Sequence, residues 1–300
     1  MGTELKQTLN RGVVKGKLSE KNLKFRKDDK NNIVGITGSI VVDTATGKHQ
    51  FGVFSNALTK SGDENPMYAN ILALKNEYVA ETDETVDNPA SYIEVNFQLN
   101  VRDFIGKQGT LVKAAMSMSL NTANRITEKD AENVTEDDNV IVLVAMYNKM
   151  SGLPEKERDN EGDKNLEVFG VNYTGAIIPY NLYVPDDIVE DVEDIYKKGD
   201  TIHLTVQPQS FHVAGREKKK AAFGRTANLS KGYDKVRYVL IGGESVIDEE
   251  HEDWLDPELV GKALKERDKM LEDMEKGGGT NHNKAVARAS AHINPADIPF

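Results

Sequence analysis

The chain has 300 residues, of which 38% are hydrophobic, and its formal net charge is −11. This length exceeds what one typical hydrophobic core needs, so two domains and a tail are expected. The lack of cysteine excludes a disulfide framework and cysteine-ligated zinc, and no apolar run approaches the length of a bilayer span. No apolar signal segment opens the chain, so we expect a cytoplasmic protein without membrane association.

Alternating apolar residues predict five strands in the first 126 residues. The clearest alternation places Ile93, Val95 and Phe97 on one face of a half-buried strand. The predicted strands cover residues 11–26, 33–43, 48–56, 92–102 and 110–120, and a helix at 67–79 lies between the third and fourth. This order is typical of an OB-fold, a five-stranded Greek-key barrel, although another small barrel would show the same pattern.

The second half repeats this order after an acidic stretch. Residues 127–139 hold six acids and one base with few apolar residues, and we interpret them as a linker. Further strands are predicted at residues 140–147, 166–173, 175–183, 200–207 and 236–241, with a helix at 185–198. The passage from this helix through a Lys-Lys-Gly-Asp turn into a strand is similar to the entry into the fourth strand of many OB-folds.

A last helix is predicted at residues 257–276. Asp256 is a favoured N-cap, Pro257 suits the first helical position, and three glycines follow the helix. Residues 248–275 carry twelve acids and four bases, a local charge of −8. Its apolar stripe favours packing on its own domain. Docking on a second subunit, or acids that mimic DNA and compete for a basic loop, remain alternatives.

These patterns predict a mainly β fold with a few helices. The predicted units are a first OB-like domain at 1–126, the acidic linker at 127–139, a second OB-like domain at 140–247, the acidic C-terminal helix at 248–276 and a flexible tail at 277–300.

A basic stretch lies between the last two predicted strands. Residues 212–237 carry eight bases and two acids, a local charge of +6. Its candidate contacts to single-stranded DNA are Arg216, Lys218, Lys219, Lys220, Phe223, Arg225, Lys231, Tyr233, Lys235 and Arg237. Cations that follow phosphates and rings that stack on bases are what single-strand binding requires. A solvated loop that balances an acidic protein is the alternative.

A smaller cluster of cations and rings lies in the first predicted domain. It comprises Lys24, Phe25 and Arg26, and Lys48, Tyr92 and Arg102 extend it across the open face of the sheet. Tyr92 and Arg102 share a strand face, which favours a common role. Each of these residues taken alone also fits an ordinary surface position.

Motifs of catalysis are absent from the sequence. It contains no phosphate-binding glycine loop, no nucleophile elbow and no patterned carboxylates for two-metal chemistry. His251, Glu252 and Asp253 lack the spacing of a metalloprotease helix. We therefore expect no catalytic residue, no metal, no cofactor and no enzymatic activity.

The chain ends in Asp297, Ile298, Pro299 and Phe300. Pro299 stiffens this segment, and a basic pocket could hold the ring and the terminal carboxylate of Phe300. The ending resembles the C-terminal tip of bacterial and phage single-stranded DNA-binding proteins. The resemblance implies sequence-tolerant coating of exposed strand and docking of replication or recombination proteins on the four terminal residues. A frayed tail is the alternative.

The tail departs from this family in one respect. The glycine-rich linker and dense acidic run of the family are missing, and Asp297 is the only acid near the tip. We predict a single-stranded DNA-binding protein of replication, recombination or repair, with a homo-oligomer possible. Its size suggests a phage version acting in the host cytoplasm. The alternatives are a virion or adaptor protein without nucleic-acid affinity, and a nuclease with an unfamiliar site.

Overall fold

A computed structural model describes residues 4–106, 109–213 and 233–277, which form a mainly β structure. The strands are β1 (Asn10–Lys27), β2 (Ile33–Thr44), β3 (Gly47–Asn56), β4 (Tyr92–Ile105), β5 (Leu111–Arg125), β6 (Val140–Gly152), β7 (Lys164–Val171), β8 (Ile177–Val184), β9 (Thr201–Val213) and β10 (Tyr233–Gly243). The α-helices are α1 (Pro66–Glu77), α2 (Glu128–Ala131), α3 (Asp186–Ile195) and α4 (Pro257–Glu275). Every predicted strand and helix is present.

The first five strands form a ring of pairings, which we call the N-terminal strand set. β1 pairs with β2, β2 with β3, β3 with β5, β5 with β4, and β4 again with β1. The β3–β5 pairing is parallel and the other four are antiparallel. Helix α1 lies between β3 and β4 in the chain, and Asn65 caps it by accepting the amide hydrogen of Met67 at 3.0 Å.

The last five strands repeat this arrangement and form the C-terminal strand set. β6 pairs with β7, β7 with β8, β8 with β10, β10 with β9, and β9 again with β6. Here too the third and fifth strands, β8 and β10, are the parallel pair. Helix α3 occupies the position of α1, between the third and fourth strands. The two sets therefore have the same topology.

The two sets are joined along β1. The residues from Asn10 to Val13 pair with the residues from Val140 to Leu143 of β6, while Gly12 also pairs with Phe97 of β4. A side chain at Gly12 would overlap the Phe97 ring, since a Cβ atom there would lie 2.3 Å from its Cζ atom. Glycine is therefore required where three strands meet.

Two further contacts connect the sets. The Asn10 amide donates to the Leu99 carbonyl at 2.8 Å and to the Tyr180 hydroxyl at 2.9 Å, so one side chain joins β4 and β8. The turn between β2 and β3 lies against β9, where the Ser210 amide donates to the Thr46 carbonyl at 2.9 Å. The junction between the two sets, which we call the seam, thus extends over several elements of both sets.

Helix α4 packs on its own chain. Val260, Leu271 and Met274 are buried, and Val260 belongs to a small apolar cluster with Phe169 and Ile177 of the C-terminal set. This packing agrees with the interpretation favoured from the sequence, in which the helix packs on its own domain. None of the helices in the described part of the chain combines the length and apolar character that crossing a bilayer requires.

The acidic segment between the sets contains short helical turns that were not predicted. Helix α2 and a 3-10 turn at Glu136–Asp138 lie within it, and threonines precede both. Thr127 accepts the Asp130 amide hydrogen at 3.1 Å. Acids in a first turn are favoured by the positive end of the helix, which explains why such an acidic segment can still be helical.

His49 makes the fold sensitive to acid. Its ring is fully buried, and burial lowers its pKa to about 4. The unfolded chain binds a proton near pH 6.5 while the folded chain does not, so stability is complete above that pH and falls towards pH 4. We expect a loss of about 3 kcal/mol across this interval. Urea unfolding at pH 7, 5.5 and 4.5 measures it.

The matched variant is His49→Gln, which has no titrating ring. Its free energy of unfolding is lower at pH 7 because the buried packing changes, but the His49 contribution to the decline between pH 6.5 and 4 disappears. An equal decline in both proteins would show that other groups cause the acid sensitivity.

Candidate nucleic-acid interface

A cleft of about 940 Å³ separates the two strand sets on one side of the molecule. The N-terminal set contributes Gln50, Gly52, Arg102, Lys113, Ala114, Met116, Ser117, Met118 and Ser119. The C-terminal set and its connections contribute Leu153, Glu157, Asn165, Asn181, Tyr183, Phe211, Lys235, Val236, Arg237 and Tyr238. Four cations, three aromatic residues and several amides therefore line one concave surface.

The Arg237 guanidinium lies close to two aromatic rings. Its guanidinium carbon lies 4.4 Å from the ring centroid of Tyr183 and 5.5 Å from that of Phe211. The ladder between β9 and β10 causes this arrangement, because Lys235 pairs with Phe211 and Arg237 with Gln209. Arg237 also forms an ion pair with Asp159 at 2.6 Å, and its buried Nε has no hydrogen-bond partner among the described residues. A flat cation on rings suits stacking against a base.

The buried carboxylate of Asp163 orders the loop beside Arg237. It is 1% exposed and accepts hydrogen bonds from the amides of Asp159, Asn160 and Asp186 and from the Tyr183 hydroxyl. Burial alone would raise the pKa of Asp163, but these hydrogen bonds outweigh it and hold the pKa below its ordinary value. Burial and the bond to Asp163 raise the pKa of Tyr183 to about 12. The phenol therefore stays neutral and fixed under the guanidinium.

A β-bulge positions Arg102 and Lys113 on the wall of the cleft that the N-terminal set forms. The register between β4 and β5 shifts after Arg102, and Ala114 adopts a left-handed conformation with φ of 51°. The Asp103 carboxylate accepts the Ala114 amide hydrogen at 2.7 Å and both its oxygens accept from Arg267 of α4, at 2.7 and 2.9 Å. Helix α4 therefore supports the strand segment that carries Arg102 and Lys113.

Of the residues predicted to bind DNA, the structure brings Arg102, Lys235 and Arg237 together in the cleft. Tyr92 lies ten residues before Arg102 on β4, about 33 Å away at the rise of an extended strand. It pairs with Lys17 and is not part of the cleft. A shared strand face thus did not place the two side chains in one site.

The predicted cluster in the first set occupies a separate surface. Arg26 lies over the ring of Phe54 at 4.2 Å and donates to the Asn56 side chain at 3.0 Å. Phe25 is 38% exposed, and Lys75 lies 5.1 Å from its ring. Lys24 is exposed, and Lys48 donates to Ser19 at 3.1 Å and pairs with Asp43 at 3.8 Å. These residues lie on strands of the N-terminal set but do not line the cleft.

Part of the predicted site lies outside the described residues. It consists of Arg216, Lys218, Lys219, Lys220, Phe223, Arg225 and Lys231 in the chain between β9 and β10, and of the tip Asp297, Ile298, Pro299 and Phe300. Tyr233 begins β10 and pairs with Val213. The basic stretch therefore connects the two strands that carry Phe211, Lys235 and Arg237.

The sequence profile of the YorF family matches residues 9–277, which is most of the chain. The chain belongs to the YorF family. A search of curated proteins gave no match.

Two solved structures are similar to this YorF chain at 9% identity. They are the wild-type single-stranded DNA-binding protein of Thermus aquaticus, with a TM-score of 0.47, and a deletion mutant of it, with 0.43. Each comparison covers 82% of this chain, and 97% of the wild-type and 98% of the mutant chain.

Several residues of the cleft and of the surface around Arg26 were not predicted from the sequence. Lys113, Tyr183 and Phe211 line it, and Phe54 forms the second exposed ring beside Arg26. The sequence contained a signal for Phe54, because Phe51, Val53 and Ser55 are the buried positions of β3 and Phe54 falls between them. An aromatic residue on the solvent face of a strand often marks a binding surface.

Proposed function

We propose that this protein binds single-stranded DNA, with the cleft between the strand sets as its main binding site. The observation that carries the proposal is the Arg237 guanidinium close to the rings of Tyr183 and Phe211, in a cleft that also holds Arg102, Lys113 and Lys235. Cations neutralise phosphates, and Phe211, which is only partly buried, offers a ring on which a base of any identity can stack. Such a site binds strand with little sequence preference.

The composition of the chain between β9 and β10 supports this proposal. Residues 214–232 join β9 and β10, and they carry seven of the predicted DNA contacts. Both ends of the stretch are therefore fixed on strands that line the cleft. This concentration of positive charge in the sequence favours a polyanionic ligand despite the net charge of −11.

We further propose that each strand set is an OB-type barrel and an independent domain, at residues 1–126 and 140–247. The closed ring of pairings, the parallel third and fifth strands and the helix before the fourth strand support this assignment. The surface formed by Lys24, Phe25, Arg26 and Phe54 would then extend the path of the strand over the first barrel.

The biological role proposed for the chain follows its sequence. We propose that it coats exposed strand during replication, recombination or repair in the cytoplasm, without catalysis. In this proposal the tip from Asp297 to Phe300 recruits partner proteins. Deleting the last four residues would then abolish capture of such partners and leave strand affinity unchanged.

A fluorescence anisotropy titration tests the binding function. The full-length protein is added to labelled oligo-dT and to a duplex of equal length at 20 mM salt. We expect binding of the single strand that weakens with a log–log salt slope of about −3 or steeper, since each phosphate contact contributes about −0.7 and the cleft alone holds four cations. No binding at low salt would contradict the proposal and favour an adaptor protein. Loss of the oligonucleotide with Mg²⁺ would favour a nuclease.

A further inference from the structure

We propose that carboxylates of the same chain shield the cations of the cleft and that an incoming strand displaces them. The inference deepens the proposed function and rests on it. Three of the four cations have acidic partners. Lys113 pairs with Glu275 at 3.6 Å, Lys235 with Glu157 at 3.8 Å and Arg237 with Asp159 at 2.6 Å. Among the described residues, Arg102 has no such partner.

The three acids come from two segments outside the strands that build the cleft. Glu157 and Asp159 lie in the connection between β6 and β7, and Glu275 is the last residue of α4. Glu157 itself lines the cleft. The buried Asp163 anchors the β6–β7 connection through the amides of Asp159 and Asn160. The acids are thus held at the cleft by the fold.

The shielding is weak enough to be reversed. The side chains of Glu157, Asp159 and Glu275 are 39%, 60% and 55% exposed, so water and salt screen all three pairs. A single strand presents a row of phosphates, and each phosphate can replace one carboxylate on the same cation. The carboxylates need only rotate into solvent.

This arrangement has a functional consequence. An isolated anion, such as a nucleotide or free phosphate, must displace one carboxylate from a cation and gains only one contact in return. A continuous strand displaces the three carboxylates in one binding event and retains all the contacts together. The shield therefore selects for polymeric strand over small anions.

The test is a charge-neutralising triple variant, Glu157→Gln, Asp159→Asn and Glu275→Gln. We expect it to bind oligo-dT about tenfold more tightly than the unmodified protein at 20 mM salt, with a smaller gain at 300 mM. The matched control, Glu190→Gln, Asp191→Asn and Asp194→Asn, makes the same charge change on exposed positions of α3 that do not line the cleft. It should change the affinity less than twofold.

Two results would overturn the inference. If the unmodified protein binds strand and the cleft variant binds no more tightly than the α3 control, shielding is wrong while the binding function stands. If neither protein binds at low salt, the proposed function fails as well.

Single variants of Asp159 distinguish shielding of Arg237 from positioning of Arg237. If it only positions Arg237, Asp159→Ala weakens binding and Asp159→Asn leaves it unchanged, whereas shielding predicts tighter binding for both.

Discussion

Arg237→Glu is expected to weaken the binding of oligo-dT by about 1,000-fold at low salt. The substitution removes the cation close to the rings of Tyr183 and Phe211 and places a second carboxylate next to Asp159. The cleft surface around residue 237 then repels phosphates instead of attracting them. Arg237→Lys retains the charge but lacks the planar group that lies on the rings, so a loss of about tenfold is expected.

The matched control for this prediction is Lys198→Glu. Lys198 is an exposed residue after α3, and it does not line the cleft, so the variant has the same charge change outside the proposed site. Anisotropy titrations measure all three variants, and circular dichroism checks their folding. If Arg237→Glu bound within threefold of the unmodified protein while it remained folded, the strand would have to bind elsewhere.

Asp163→Ala is expected to lower the free energy of unfolding by about 4 kcal/mol. The variant leaves the amides of Asp159, Asn160 and Asp186 and the Tyr183 hydroxyl without their acceptor in a buried position. Urea unfolding followed by fluorescence gives the difference. Asp191→Ala, at an exposed position in the middle of α3, is the control and should change stability by less than about 0.5 kcal/mol.

The pH dependence of the free energy of unfolding distinguishes the loss of the Asp163 charge from a general loss of packing. The pKa of Asp163 is below its ordinary value in the folded protein, so its contribution is complete above about pH 4 and is lost as the pH falls through the folded pKa. Asp163→Ala should therefore lack this part of the acid-induced loss of stability. A parallel pH profile in both proteins would contradict the role assigned to the charge.

The strands were predictable because their two faces differ. In β4, Ile93, Val95 and Phe97 are buried while the residues between them are partly exposed, and this alternation is directly visible in the sequence. The end of β9 was not predictable in this way. The strand continues through Pro208 to Val213, whereas a proline normally argues against further pairing. Pro208 pairs with Tyr238, and the pairing of β9 with β10 continues although proline has no amide hydrogen to donate.

The site was only partly predictable because pairing brings distant residues together. Lys235 and Arg237 were identified from the local concentration of charge. Tyr183 and Phe211 lie far from them in the sequence, and only the β9–β10 ladder and the neighbouring β8 bring the rings to the guanidinium. The role of Tyr183 and Phe211 depends on contacts between strands, and these contacts cannot be inferred from the composition or periodicity of the sequence.

The seam along β1 has a consequence for how ligand enters the cleft. The main-chain hydrogen bonds between β1 and β6, the bond from Asn10 to Tyr180 and the Arg267–Asp103 pair hold the two walls together, so widening the cleft would break several of them at once. If strand binds in the cleft as we propose, we therefore expect the cleft to keep its width and the strand to adapt its conformation. Flexible pyrimidine runs are then expected to bind more tightly than purine runs, whose stacked bases must first separate from one another.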